Sequence, residues 1–117
     1  MPGIALLTNA AANCKLDDVT CGGFLGDIAT SANSTLTAGI YHQTKNTEEE
    51  ALKFKYKYDE FKLIIEGTIC IKEPSTGTQI EAKVGDVVNI SKGADLVFWS
   101  PEGGKAYFVG NRGVGEL

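Results

Sequence analysis

A few side chains in this sequence could move protons near neutral pH. The single histidine, His42, closes the stretch TAGIYH, and an imidazole with an ordinary pKa of about 6.5 both gives and takes protons there. In FKYKYDEFK, residues 54–62, Phe54, Tyr56, Tyr58, Glu60 and Lys62 fall two apart. An extended chain points these five one way and Lys53, Lys55 and Lys57 the other. A carboxylate on an apolar face is costly unless it is paired or does chemistry. Glu60 therefore has two readings, an acid–base group or an ion pair with Lys62. The tyrosines read equally as core filler, and His42 as a surface or satisfied core residue.

Other chemistries find little support. The chain has 11 Lys plus Arg against 15 Asp plus Glu, a formal charge of −4, and no basic cluster beyond the lysines of 53–57. Phosphate contacts need clustered cations, so nucleic acid is not expected as a partner. GGFLG lacks the Lys-Ser/Thr of a P-loop. The three cysteines, Cys14, Cys21 and Cys70, are odd in number and show no CxxC spacing, which favours reduced thiols over a disulfide scaffold or zinc site. MPGIALLTNAAA has no basic segment ahead of a long apolar one, and no apolar run approaches transmembrane length. A cytoplasmic protein without a membrane partner is the expectation. NST at Asn33 reads as a polar turn.

The elements that would position these groups are strands. At 117 residues the chain makes one domain. Fourteen glycines and three prolines punctuate short apolar runs. The runs predict strands around Phe24–Ile28, over TLTAGIYHQ, through the opening aromatic segment, and over KLIIEGTICIKE with a bend at Gly67. TQIEAKV, with Ile80, Ala82 and Val84 on one face, then GDVVNIS, LVFWS and AYFVGN complete the series. A turn at Asn46–Leu52 is the one helical feature expected. Seven or more short strands at this spacing indicate an all-β antiparallel sandwich or barrel.

Two stretches, YDEFKLIIEGTICI and AKVGDVVNISKGADLVF, resemble the two motifs of the cupin superfamily of small jelly-roll barrels. Glu60 to Gly67 has the spacing that ends the first motif, and Gly85, Ser91 and Gly93 occupy the second, with serine at its usual proline. The order GDIATS, AGIYH, YDE, IIEG, KVGDVVNISKG, YFV is similar to the ethanolamine-utilisation group of cupins, in the C-terminal domain of its Q protein. The motif-bearing part runs from about residue 21 to 112.

The resemblance implies a barrel with one concave mouth. Metal-binding cupins hold iron, manganese or zinc with two histidines and the glutamate of the first motif and one histidine of the second. Those places fall here on Phe54, Tyr56, Glu60 and Leu96, so no metal and no other cofactor is expected. Tyr56, Tyr58, Glu60 and Lys62 from the first motif, and Asn89, Phe98 and Ser100 from the second, are the implied lining. Tyr41 and His42 lie on the flanking strand. The function expected is a metal-independent lyase or isomerase acting on a small polar metabolite, with His42 as base and Glu60 and Tyr56 fixing the substrate. The alternative is a non-catalytic binding or accessory cupin related to ethanolamine utilisation. Cupins commonly pair through edge strands, and GIALL is an apolar segment that needs a cover, so a homodimer is expected.

Overall fold

The computed structural model describes residues 3–117. Nine strands follow a single helical turn, α1 (Ala10–Asn13), that the sequence pattern does not announce. They are β1 (Asp17–Asp18), β2 (Gly23–Thr30), β3 (Thr37–Gln43), β4 (Leu52–Lys55), β5 (Glu60–Glu73), β6 (Thr78–Lys83), β7 (Val87–Ile90), β8 (Asp95–Trp99) and β9 (Gly104–Gly110). A 3-10 turn at Glu48–Glu50 lies within the turn expected at 46–52, closed by reciprocal Thr47 and Glu50 hydrogen bonds.

The fold is an all-β jelly-roll barrel, and its hinge is β5. The first half of β5 pairs with β7 and β9, and its second half with β6 and β8, every pair antiparallel. One sheet therefore runs β1-β2-β3-β9-β5-β7 and the other β6-β5-β8-β4, curled around a strand common to both. The turn from one to the other is made by a bulge and a glycine. Ile64 pairs with Ala106 and Glu66 with Lys105, leaving Ile65 as the extra residue. That insertion switches parity: Glu60, Lys62 and Ile64 face the interior before it, Ile69 and Ile71 after it. Gly67 then takes φ 59°.

The aromatic stretch departs from the expected continuous strand. β4 stops at Lys55, the chain bends at Lys57–Tyr58, and β5 starts at Glu60. The alternation nonetheless survives the break, with Tyr56, Tyr58, Glu60 and Lys62 buried and Lys55, Lys57, Asp59 and Phe61 exposed. Loop contacts hold the phase. Tyr56 exchanges backbone hydrogen bonds with Gly93 and Ala94, and the Asp59 side chain accepts from the Lys92 amide at 2.8 Å.

β6 also corrects the pattern. Ala82 is buried as expected, but Ile80 and Val84 stand in solvent, because β6 has β5 as its one partner and Val84 lies past its end. GIALL forms no strand over its described residues, and Ile4 and Leu6 are almost fully exposed. No helix among the described residues is long and apolar enough to cross a membrane.

A Cβ at Gly67 would lie 2.0 Å from the Gly103 carbonyl oxygen, on a backbone that L-residues rarely adopt. Gly67→Ala is expected to cost about 3 kcal/mol or more in denaturant unfolding. Gly77→Ala, on an equally positive φ but with open space around it, should cost about 1 kcal/mol.

Candidate functional site

The barrel interior contains a pair of opposite charges at the start of β5. The Lys62 ammonium lies 2.8 Å from Glu60 Oε2, and both side chains are only 4% exposed. Their spacing of two on a strand puts them side by side on one face, so the pair is local in sequence and needs only the barrel to bury it. Tyr56 donates its hydroxyl to the same Oε2 at 3.0 Å. Three rings surround the ammonium: Lys62 Nζ lies 4.7 Å from the centre of Tyr41, 5.5 Å from Phe108 and 5.6 Å from Phe98. Ring faces attract a cation, and more so out of water.

These groups open on a cavity of about 250 Å³, walled further by Leu25, Leu52, Phe54 and Tyr58, with Thr20 and the exposed Lys53 at its mouth. Its volume suits a small ligand of about ten heavy atoms or fewer. Burial raises the Tyr56 phenol well above its ordinary range, and the Glu60 carboxylate beside it adds to the effect. Burial, with Glu60 again second, pushes Tyr58 up to about 12, and burial raises Tyr41 too. All three stay protonated, which makes them hydrogen-bond donors rather than bases. The Tyr41 hydroxyl is spent on Gln43 Oε1, a fully buried amide anchored by donating to the carbonyls of Cys21 and Thr44.

Of the side chains expected at the mouth, Tyr41, Tyr56, Tyr58, Glu60, Lys62 and Phe98 converge on this cavity. Three do not. His42 follows Tyr41 on β3 and so faces the opposite side of the sheet, beside Phe24 and across from Lys105. It borders a shallow polar surface depression with Glu66 and Glu102, so a His42–Glu60 pairing is not made. Asn89 sits on the outer face opposite Phe61, because on β7 it is Val88 and Ile90 that point inward. Ser100 is fully buried within the turn before β9, donating to the Thr68 carbonyl at 2.5 Å and accepting from the Gly103 amide at 2.8 Å. It holds that turn and does not line the cavity.

Two features of the site were not legible beforehand. Thr20, which lines the cavity, and the neighbouring Cys21 take positive φ values of 78° and 51°, and non-glycine residues in that region collect at functional sites. Further along the interior, Arg112 forms a two-pronged pair with Asp27 at 2.8 and 3.1 Å, and its guanidinium lies 5.7 Å from the Tyr58 ring centre. Arg112 Nε is buried with no partner among the described residues. The signal that could have found this pair was the chain's only arginine, placed just past the last strand, and an acid on the inward parity of β2.

The donor set does not fit a metal. Phe54 and Leu96 offer no lone pairs, Glu60 Oε2 is already shared by an ammonium and a phenol, and among the described residues no three His, Cys, Asp or Glu side chains converge.

A family model described as ethanolamine utilisation protein EutQ matches residues 4–111. No curated protein matches the chain. Among solved structures, an ethanolamine utilization protein Q from Salmonella typhimurium LT2 is 25% identical with a TM-score of 0.67, covering 78% of this chain and 70% of its own. The EutQ protein of Clostridium difficile is 22% identical at the same TM-score, over 79% of this chain and 64% of its own, so this chain spans less than two thirds of that one. An RmlC-like cupin from Shewanella frigidimarina shares only 13% identity but covers 98% of this chain and 95% of its own with a TM-score of 0.72, a likeness of fold.

Removing one charge of a buried pair strands the other. Glu60→Leu alone is expected to cost about 3–5 kcal/mol, and the double variant Glu60→Leu with Lys62→Met to recover most of that loss; a double-mutant cycle in urea checks it. Hydrogen bonding to Arg112 holds the Asp27 carboxyl below its ordinary range. Its contribution is therefore present above the unfolded value of about 4 and lost as pH falls below it. Asp27→Asn should lower stability by about 3 kcal/mol at pH 7 and flatten the fall in stability below about pH 4, as read by denaturant titrations across pH.

Proposed function

This chain belongs to the ethanolamine utilisation protein EutQ family, and we propose that its barrel binds a small polar metabolite and moves protons on it without a metal. The observation that carries this is the Glu60–Lys62 ion pair, buried yet bordering a cavity and sharing one carboxylate oxygen with the Tyr56 hydroxyl. Burying two charges costs several kcal/mol per ion, and apolar residues on the same parity would fill the barrel more cheaply. Glu60 is the proton acceptor, Tyr56 the donor to a reacting oxygen, and Lys62 the positive charge that steadies an oxyanion. Elimination of water, epimerisation and tautomerisation need no more than this set. His42 has no part in it.

A second reading, a non-catalytic binding module, is favoured by the position of His42 outside the cavity, which leaves the site without an imidazole. A panel of small hydroxy acids, amino alcohols, diols and carbonyl compounds, followed by NMR for cavity shifts and for conversion, separates the two. Turnover is expected to fall by about two to four powers of ten in Glu60→Gln and to be unchanged in His42→Ala. Conversion insensitive to both Glu60→Gln and Tyr56→Phe would overturn the assignment, and binding without conversion would favour the binding module.

We propose further that the protein acts as a homodimer in the cytoplasm. Phe61, Leu63, Val87 and Tyr107 form an exposed apolar patch on the outer sheet face, contiguous through the Leu63 pairs with Val87 and Tyr107. Ile4 and Leu6 on the N-terminal arm are equally uncovered. A two-fold related copy seated on the patch would take this apolar surface out of water. The free state of Cys14, Cys21 and Cys70 suits a reducing compartment. Sedimentation giving only the 12.5 kDa species at high concentration would refute the dimer.

A further inference from the structure

Lys62 differs from the other nine lysines, which are all exposed or half-buried. We infer, on the premise that the cavity is the functional site, that Lys62 is a nucleophile that forms an imine with a small, uncharged aldehyde or ketone. Inside the cavity the Lys62 ammonium is balanced by Glu60, and the next cation, Lys53, stands exposed at the rim. A ligand bearing a net charge would sit among mostly apolar walls, where the two interior charges already neutralise each other and Lys53 lies only at the rim, at a cost of several kcal/mol. A carbonyl compound adds none.

The step conserves that balance. The Lys62 ammonium passes a proton across the 2.8 Å contact to Glu60, and the free amine attacks the carbonyl carbon. A C–N bond forms as the π pair of the C=O bond moves onto oxygen. One proton then shifts from nitrogen to that oxygen, giving a neutral carbinolamine. Glu60 returns its proton to the hydroxyl, the C–O bond breaks, water leaves, and the nitrogen lone pair closes the C=N bond. An iminium beside a carboxylate has replaced an ammonium beside a carboxylate. The ring faces of Tyr41, Phe98 and Phe108 that surround Nζ hold either cation. An iminium also withdraws electrons from the adjacent carbon, so its C–H bond is acidified next to Glu60, the acid–base chemistry proposed for this site. The roughly 250 Å³ of space suits a small substrate of about ten heavy atoms or fewer.

Propanal and hydroxyacetone with sodium cyanoborohydride provide the test, since reduction turns an iminium into a stable secondary amine that peptide mapping by mass spectrometry locates. Lys62 is expected to be alkylated at least about tenfold faster than any other lysine, although it is the least exposed, because its free amine forms beside a general acid. Glu60→Gln should slow this labelling by about tenfold or more, and Lys62→Arg should abolish it at that position while leaving the surface lysines unchanged. Labelling of Lys62 no faster than of the surface lysines would overturn the inference, and the wild-type protein alone decides this whether or not the variants fold. Propan-1-ol, which fills the same space but forms no imine, separates the two ideas. If it shifts cavity resonances while Lys62 is not trapped, the imine is wrong and the binding site stands. If neither propanol nor the carbonyl compounds shift them, both are wrong.

Discussion

One strand serves two sheets, and the barrel depends on how it turns between them. β5 can leave β7 and β9 for β6 and β8 only where the backbone at Gly67 presses against the Gly103 carbonyl, a contact that has no room for a side chain. The bulge at Ile65 does the complementary work on phase. A strict alternation through all fourteen residues of β5 would turn Ile69 and Ile71 to the outside, or Glu60 and Lys62. The extra residue lets both sets face in, so one half of β5 builds the apolar floor and the other half carries the charges.

The charged half is held by packing as much as by attraction. An ion pair removed from water gains little net free energy from its own Coulomb term. Glu60 and Lys62 are tolerable in the interior because a phenol shares the carboxylate and three rings flank the ammonium. Those rings come from three other strands, Tyr41 from β3, Phe98 from β8 and Phe108 from β9. Two of these rings are backed in turn, with Gln43 accepting from the Tyr41 hydroxyl and the Arg112 guanidinium of the Asp27–Arg112 pair 5.4 Å from the centre of Phe108. Glu60, Lys62, Tyr56 and Tyr41 thus each have a polar or ionic partner within the protein itself.

The positive charge inside this barrel is a side chain on the glutamate's own strand, two residues along β5. Paired with Glu60 at 2.8 Å, it leaves that part of the interior without net charge.

Much of this was written in local sequence. Alternation at 54–62 determined that Tyr56, Tyr58, Glu60 and Lys62 share a face, since period two survives even a break in hydrogen bonding. The strand series determined an all-β antiparallel fold, sandwich or barrel, the motif resemblance pointed to the barrel, and the two-residue spacing of Glu60 and Lys62 already offered their pairing. What sequence could not determine was which face each strand turns inward, because parity inside a strand is relative and only its neighbours set its sign. His42 and Asn89 fell on the outer faces of β3 and β7 for that reason. Ser100 was claimed by a turn whose partners, Thr68 and Gly103, lie on either side of the β5 hinge contact. Asp27 and Arg112, 85 residues apart, meet only when β2 and the end of β9 close the same end of the interior. Local spacing specifies neighbours along one strand; long-range pairing decides what stands across from them, and the chemistry of this cavity needed both.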